Sequence, residues 1–206
     1  TPNDTRVLYL LSNAQRSTGD AAGAETTARK IMSIDPTNMG GLRALVSVLF
    51  ERFDYKQIIE AATPLLKDPS RARGREFEGA SVLVQMGIAS QQLAQWDAAI
   101  NAFTAAKTLT PDDPDIDAYL VQSNLTARRY DRAEAAARAA LTRDPDQPRL
   151  VRLRAQALLK SGKAAEANKL LEDGAAKQPT NREFVVGLAD LYADQKRTDD
   201  AVRVLE

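Results

Sequence analysis

Proline recurs along this chain at a nearly fixed interval. Pro111, Pro145 and Pro179 are 34 residues apart, Pro36 and Pro69 are 33 apart, and Pro69 to Pro111 is 42, one period plus eight. A period of this length means that one supersecondary unit is stacked several times, and this constrains the architecture before any single motif is read. Each of these prolines follows an apolar, alanine-rich stretch: IMSIDP, PLLKDP, AAKTLTP, AALTRDP and GAAKQP. Proline lacks an N–H and pushes the residue before it out of the helical region, so it works here as a stop between one helix and the next.

Other columns keep the same phase. Small residues stand twelve before the proline as Ala24, Ala99, Ala133 and Ala167, with Ala201 one period later. Eight before it stand Ala28, Phe103, Ala137 and Leu171; twenty-four before it stand Ser12, Gly87, Val121 and Ala155. An aromatic lies fifteen before it as Trp96 and Tyr130, with Tyr55 nearby in the second unit. Within a unit the apolar spacing is helical, as in Leu83, Met86 and Ser90, and not alternating. Short turns follow (STGD, ERFD, LAQW, ARRY, KSGK and DQKR), and then a second amphipathic stretch. Two helices of about 12–14 residues with a short turn fill one period.

These residues resemble the tetratricopeptide repeat (TPR) family over nearly the whole chain. That family asks for small residues where the two helices of a unit cross, supplied here by Gly87 with Ala99 and by Ala155 with Ala167. It also asks for proline after the second helix, which five units have. The resemblance implies an all-α fold, a right-handed α–α superhelix of about five full repeats plus a partial sixth. The units fall at 5–38, 39–69, 80–113, 114–147, 148–181 and 182–206, the last partial, with an insertion at 70–79. Three positions depart from the pattern: Arg154 in a usually apolar slot, Asp117 where a large side chain is usual, and Pro64 interrupting a second helix.

Composition narrows the chemistry. Among 206 residues there is no Cys and no His, which removes disulfides, thiolate nucleophiles, Cys-based zinc sites and the commonest general base. Lys plus Arg (28) cancels Asp plus Glu (28), against the basic excess that non-specific nucleic-acid binding needs. No apolar run reaches the roughly 18–20 residues of a membrane span. The glycines are scattered, with no Walker or dinucleotide-binding pattern, and no Ser has a His base. The expectation is a protein that is not an enzyme and carries no cofactor or metal. Compartment stays open between cytoplasm and periplasm.

Two segments carry competing readings. The insertion SRARGREFEG holds Arg71, Arg73 and Arg75 beside Glu76 and Glu78. It reads as a loop or a helix extension of about two turns, or as a basic contact element for a partner. Because it divides the array into two units and then four, a bend is expected there. The run Asp112–Asp117 alternates acids as a calcium loop does, but Ala118 and Asn124 replace the required Gly and Glu, so it reads as a helix start. The chain begins with Thr and shows no capping helix at either end, so a processed form or a fragment is expected, or packing of an end on another copy.

In the family the first helices line a concave groove. The corresponding slots hold Arg6, Tyr9 and Asn13; Arg43, Ser47 and Phe50; Val84, Gln85, Ile88 and Gln92; Tyr119 and Gln122; and Arg149, Arg152, Gln156 and Lys160. Glu183 and Asp190 occupy them in the last unit. Arg149 and Arg152, at i and i+3, are spaced to share one carboxylate of an acidic partner segment, or else to pair with Glu183 and Asp190. Some members grip acidic chaperone tails with a Lys, Asn and Arg clamp. Here Asn13 fits one slot, but Tyr9, Ala44, Ser81 and Gln85 occupy the others, so that clamp is not expected.

The resemblance implies a non-catalytic scaffold binding a peptide segment or a partner protein, such as an assembly factor in a bacterial envelope or secretion system. The Ala-, Asp- and Arg-rich usage resembles bacterial proteins. Two alternatives stand beside it: a regulatory or substrate-recruiting domain of a larger enzyme, and a self-association module forming a homo-oligomer.

Overall fold

The computed structural model describes residues 3–206, and the helical spacing is realised there as twelve α-helices with no strand among the described residues. They come in pairs: α1 (Thr5–Ser17) with α2 (Ala21–Ile34), α3 (Met39–Glu51) with α4 (Tyr55–Lys67), and α5 (Glu76–Gln92) with α6 (Trp96–Leu109). Then follow α7 (Pro114–Thr126) with α8 (Tyr130–Ala140), α9 (Pro148–Lys160) with α10 (Ala164–Lys177), and α11 (Arg182–Asp194) with α12 (Thr198–Leu205). The recurring prolines all lie just beyond the second helix of a pair. Pro69 opens a short 3₁₀ turn, Pro69–Ala72.

Local chemistry sets the helix ends. Several first helices start on a side-chain cap: Asp4 accepts from Arg6 N–H (2.9 Å), Asn38 from Gly41 N–H (2.9 Å) and Asn181 from Glu183 N–H (3.0 Å). These satisfy N–H groups that have no partner inside the helix. First helices stop on one residue in the left-handed region: Gly19, Phe53, Ala94, Arg128, Gly162 and Lys196, with φ between 56° and 84°. Behind each, the next N–H reaches back five residues at 2.8–2.9 Å, as from Asp20 to the Gln15 carbonyl and from Arg129 to that of Asn124. This is the Schellman closure, which satisfies the last carbonyls and turns the chain sharply into the second helix.

The chain forms two compact units, residues 1–113 and 114–206, so the division falls after the third helix pair and not at the 70–79 insertion. In the first unit each helix packs on its sequence neighbours, and α3 also packs on both α1 and α5. The second unit repeats the plan with α7, α9 and α11. First helices therefore also pack on the first helices of neighbouring pairs. The small columns bring the two helices of each pair together: Ala24, Ala99, Ala133 and Ala167, all on second helices, are fully buried. At the α5–α6 crossing, a Cβ built on Gly87 would lie 2.5–2.8 Å from three ring atoms of Phe103, itself fully buried. Alanine-rich layers around Leu150, Leu153, Leu171 and Phe184 fill the core of the second unit.

Each departure from the repeat pattern has a local resolution. Asp117 is buried, but Arg143 donates to its carboxylate. Arg154 is half-buried and pairs with Glu134 at 3.0 Å. Pro64 does not interrupt α4: the helix runs through it to Lys67, giving up one N–H donor. The insertion becomes the 3₁₀ turn and a 17-residue α5, a turn longer than the 13-residue α3. Asp115 and Asp117 do lie in the first turn of α7, where carboxylates meet the positive helix end.

Candidate functional site

The residues read from the repeat slots all lie on first helices. None of them is fully buried. In the first unit, Arg6 and Tyr9 line a concavity of about 380 Å³ together with Thr5, Leu10, Asn38, Gly40, Arg75 and Glu78. Here α1, the start of α3 and the insertion-lengthened start of α5 meet. Arg75 lies 3.4 Å from Glu78. The Gly74 N–H donates to Glu76 at 2.8 Å and holds that carboxyl below the usual range.

Farther along, Arg43 sits over the Phe77 ring at 5.9 Å, a cation–π contact to a ring that is otherwise exposed. Asn13 and Ser47 are half-buried. Phe50 turns toward the far end of its helix, edge-on to Tyr55 at 6.5 Å. Val84, Gln85 and Ile88 are half-buried and Gln92 is exposed. The Gln85 Oε1 is buried without a hydrogen-bond partner.

In the second unit the basic residues are largely engaged. Arg149 donates to Asp115 at 2.9 Å and lies 5.5 Å over the Tyr119 ring. Arg152 donates to Glu183 at 2.7 Å, and Lys160 to Asp194 at 2.8 Å. Arg149 and Arg152 thus turn to opposite neighbours, one to α7 and one to α11, and do not converge on one carboxylate. Asp190 is not among these partners; Asp115 and Asp194 take the place expected for it. Gln122 is exposed and Gln156 half-buried. Arg152 and Glu183 line a second concavity, about 440 Å³, with Arg182 and Val186.

Sequence reading passed over Leu10, Phe77, Arg182 and Val186. Leu10 and Phe77 are each 67% exposed and Val186 is 41% exposed. Arg182 and Val186 sit at i and i+4 on α11, so helical spacing from the slot of Glu183 was the available signal. Ala44, one of the clamp slots, is buried. Chemically this face offers guanidiniums, amides and rings. Among the described residues no group of three or more acidic side chains is placed to hold a metal ion, and no helix is long and apolar enough to cross a membrane.

Profiles of the tetratricopeptide repeat match residues 5–38, 84–148 and 158–206, together more than half of the chain. No curated protein sequence matches the chain. Among solved structures, a tetratricopeptide repeat protein from Parabacteroides merdae superposes with a TM-score of 0.76 at 17% identity, covering 97% of this chain and 77% of that one. MamA protein superposes at 0.70 with 20% identity, covering 85% and 92%. YrrB, a TPR protein with an unusual peptide-binding site, superposes at 0.65 with 14% identity, covering 90% and 92%. At these identities the likeness is one of fold. With the period, the Schellman turns and the glycine and alanine crossings already in place, the chain belongs to the tetratricopeptide repeat family.

Proposed function

We propose that this chain is a non-catalytic interaction scaffold whose first-helix faces hold a segment of a partner protein, either extended or helical. The observation that carries this reading is the pairing of guanidiniums with exposed apolar side chains in both concavities. Arg6 and Arg75 stand beside Tyr9 and Leu10; Arg152 and Arg182 stand beside Val186. A segment with an apolar anchor next to an acidic residue matches both. The peptide-binding site of the similarly folded YrrB supports it. The finer proposal is an assembly factor in a bacterial envelope or secretion machinery, and the same face would serve equally as the recruiting domain of a larger enzyme. Self-association is the second reading, favoured by the exposed Val202 and Leu205 on α12.

The test places a photo-crosslinking residue at Tyr9 or Val186 and, for comparison, at Lys56 or Lys169 on second helices. Adducts from the first pair that disappear in an Arg6→Glu/Arg182→Glu chain support the groove reading. Neither Arg6 nor Arg182 takes part in the ion pairs described above, so this variant breaks none of them. Adducts confined to Lys56 and Lys169 would refute groove recognition, and a concentration-dependent mass without any partner adduct would favour self-association.

A further inference from the structure

A separate concavity of about 570 Å³ opens on the turn edge of the second unit, away from the first-helix faces. Its lining is Arg128, Arg129, Tyr130, Asp131, Arg132 and Ser161, from the α7–α8 and α9–α10 turns. Three guanidiniums and one carboxylate give it a net positive charge. Eight other basic side chains of this unit pair with carboxylates, among them Arg143, Arg149, Arg152 and Arg154. Arg128 and Arg132 do not take part in these pairs, and both are exposed. The Ser161 hydroxyl oxygen is buried against the same concavity and has no hydrogen-bond partner. A donor in that state favours an acceptor brought by a ligand.

Arg128 occupies the left-handed turn position that Gly19 and Gly162 fill in two other repeats and Phe53, Ala94 and Lys196 in the remaining three. Glycine would be the cheaper residue there, so Arg128→Gly removes the guanidinium without a backbone cost.

We propose that this concavity binds a phosphomonoester, carried on a phosphorylated side chain of a partner protein. A phosphate dianion presents several acceptor oxygens. The exposed Arg128 and Arg132 guanidiniums can meet these with charge-assisted hydrogen bonds, while Ser161, from the other turn of the lining, offers a hydroxyl. The recess favours a compact head over an extended anionic surface. None of the exposed large apolar side chains lies in its lining, so it lacks the groups that would enter a bilayer. Asp131 repels a second anion and limits the site to one phosphate. This site is independent of the groove reading, and either can fail alone.

The probe is a degenerate hexapeptide library with a central phosphoserine, titrated onto the full chain and compared with the same library carrying serine. Amide NMR shifts are read at residues 128–132 and 161–163. The variant is Arg128→Gly/Arg132→Ala, which puts glycine at a left-handed position and alanine in a helix, so its thermal midpoint should not fall. The expected result is binding of the phosphorylated library alone, shifts confined to those amides, and affinity roughly tenfold or more weaker in the double variant. An Arg138→Ala control on α8 should bind as the wild type does. Equal binding of both libraries, unchanged affinity in the double variant, or preferential binding to phosphatidic acid vesicles or to polyuridylate would overturn the proposal.

Discussion

Replacing Gly87 by Ala tests the packing logic of the repeat most directly. The new Cβ would sit 2.5, 2.6 and 2.8 Å from Cε1, Cζ and Cδ1 of Phe103. Ordinary carbon contacts need about 3.5 Å or more, so ring or helix must retreat by roughly 1 Å. Phe103 is fully buried and has no free side to move into. Overpacking of this kind costs about 2–3 kcal/mol, offset by about 1 kcal/mol from replacing Gly with Ala inside a helix. The expected net is a loss of about 1–2 kcal/mol, read as a lower urea midpoint at constant slope. Gly40→Ala is the control. Its Cβ would meet nothing nearer than 3.4 Å, so that variant should gain about 0.5–1 kcal/mol. Phe103→Leu removes the two nearest ring atoms, and the double variant Gly87→Ala/Phe103→Leu should be less unstable than the sum of the singles by about 1 kcal/mol. A Gly87→Ala chain as stable as Gly40→Ala, or strict additivity with Phe103→Leu, would refute the reasoning.

Three further outcomes are expected. Ala99→Leu and Ala167→Leu overfill fully buried crossings and should each lower stability by about 1–3 kcal/mol; an unchanged melting curve for both would sink the small-residue account. Ala94→Gly relieves a left-handed φ of 56° and should raise the unfolding free energy by about 0.5–1 kcal/mol, seen as a higher urea midpoint, with no effect of the same sign from a glycine placed in mid-helix. Burial and the hydrogen bond donated to Glu172 (2.9 Å) raise the Tyr192 phenol above its ordinary value of 10.0. The folded state therefore holds that proton longer than the unfolded one, so this contribution to stability is complete below pH 10 and is lost as pH rises past it. Tyrosinate absorbance should show a late-titrating component that Tyr192→Phe abolishes.

The parts of the fold that were readable from sequence are those in which one residue decides a steric question. A proline ends a helix wherever it falls after one, and an alanine or glycine at a crossing either fits or does not; these events recur every period and reinforce one another. Long charged side chains behave otherwise. Arg149 has several acids within reach, and the choice of Asp115 over Glu183 depends on rotamers and helix spacing that no linear pattern encodes. The same holds for the buried Asp117, whose partner Arg143 lies 26 residues away. The concavity at Arg6 and Arg75 needs α1 brought against the start of α5, which requires the length of the inserted turn as well as its composition. The turn sequence ARRY was visible as a turn, but its neighbour Ser161 belongs to the next repeat.

The close row of first helices has a mechanical consequence. Within each unit a helix pair is held by its immediate neighbours and by little beyond them. Under a pulling force such a stack has no single clasp whose rupture frees the whole chain. It should yield pair by pair from an end, each release adding the contour of about 34 residues, roughly 115 Å. The force–extension trace would be a regular sawtooth of low peaks, and the stack would act under tension as an extensible tether, reeling back in as each pair re-forms on its neighbour.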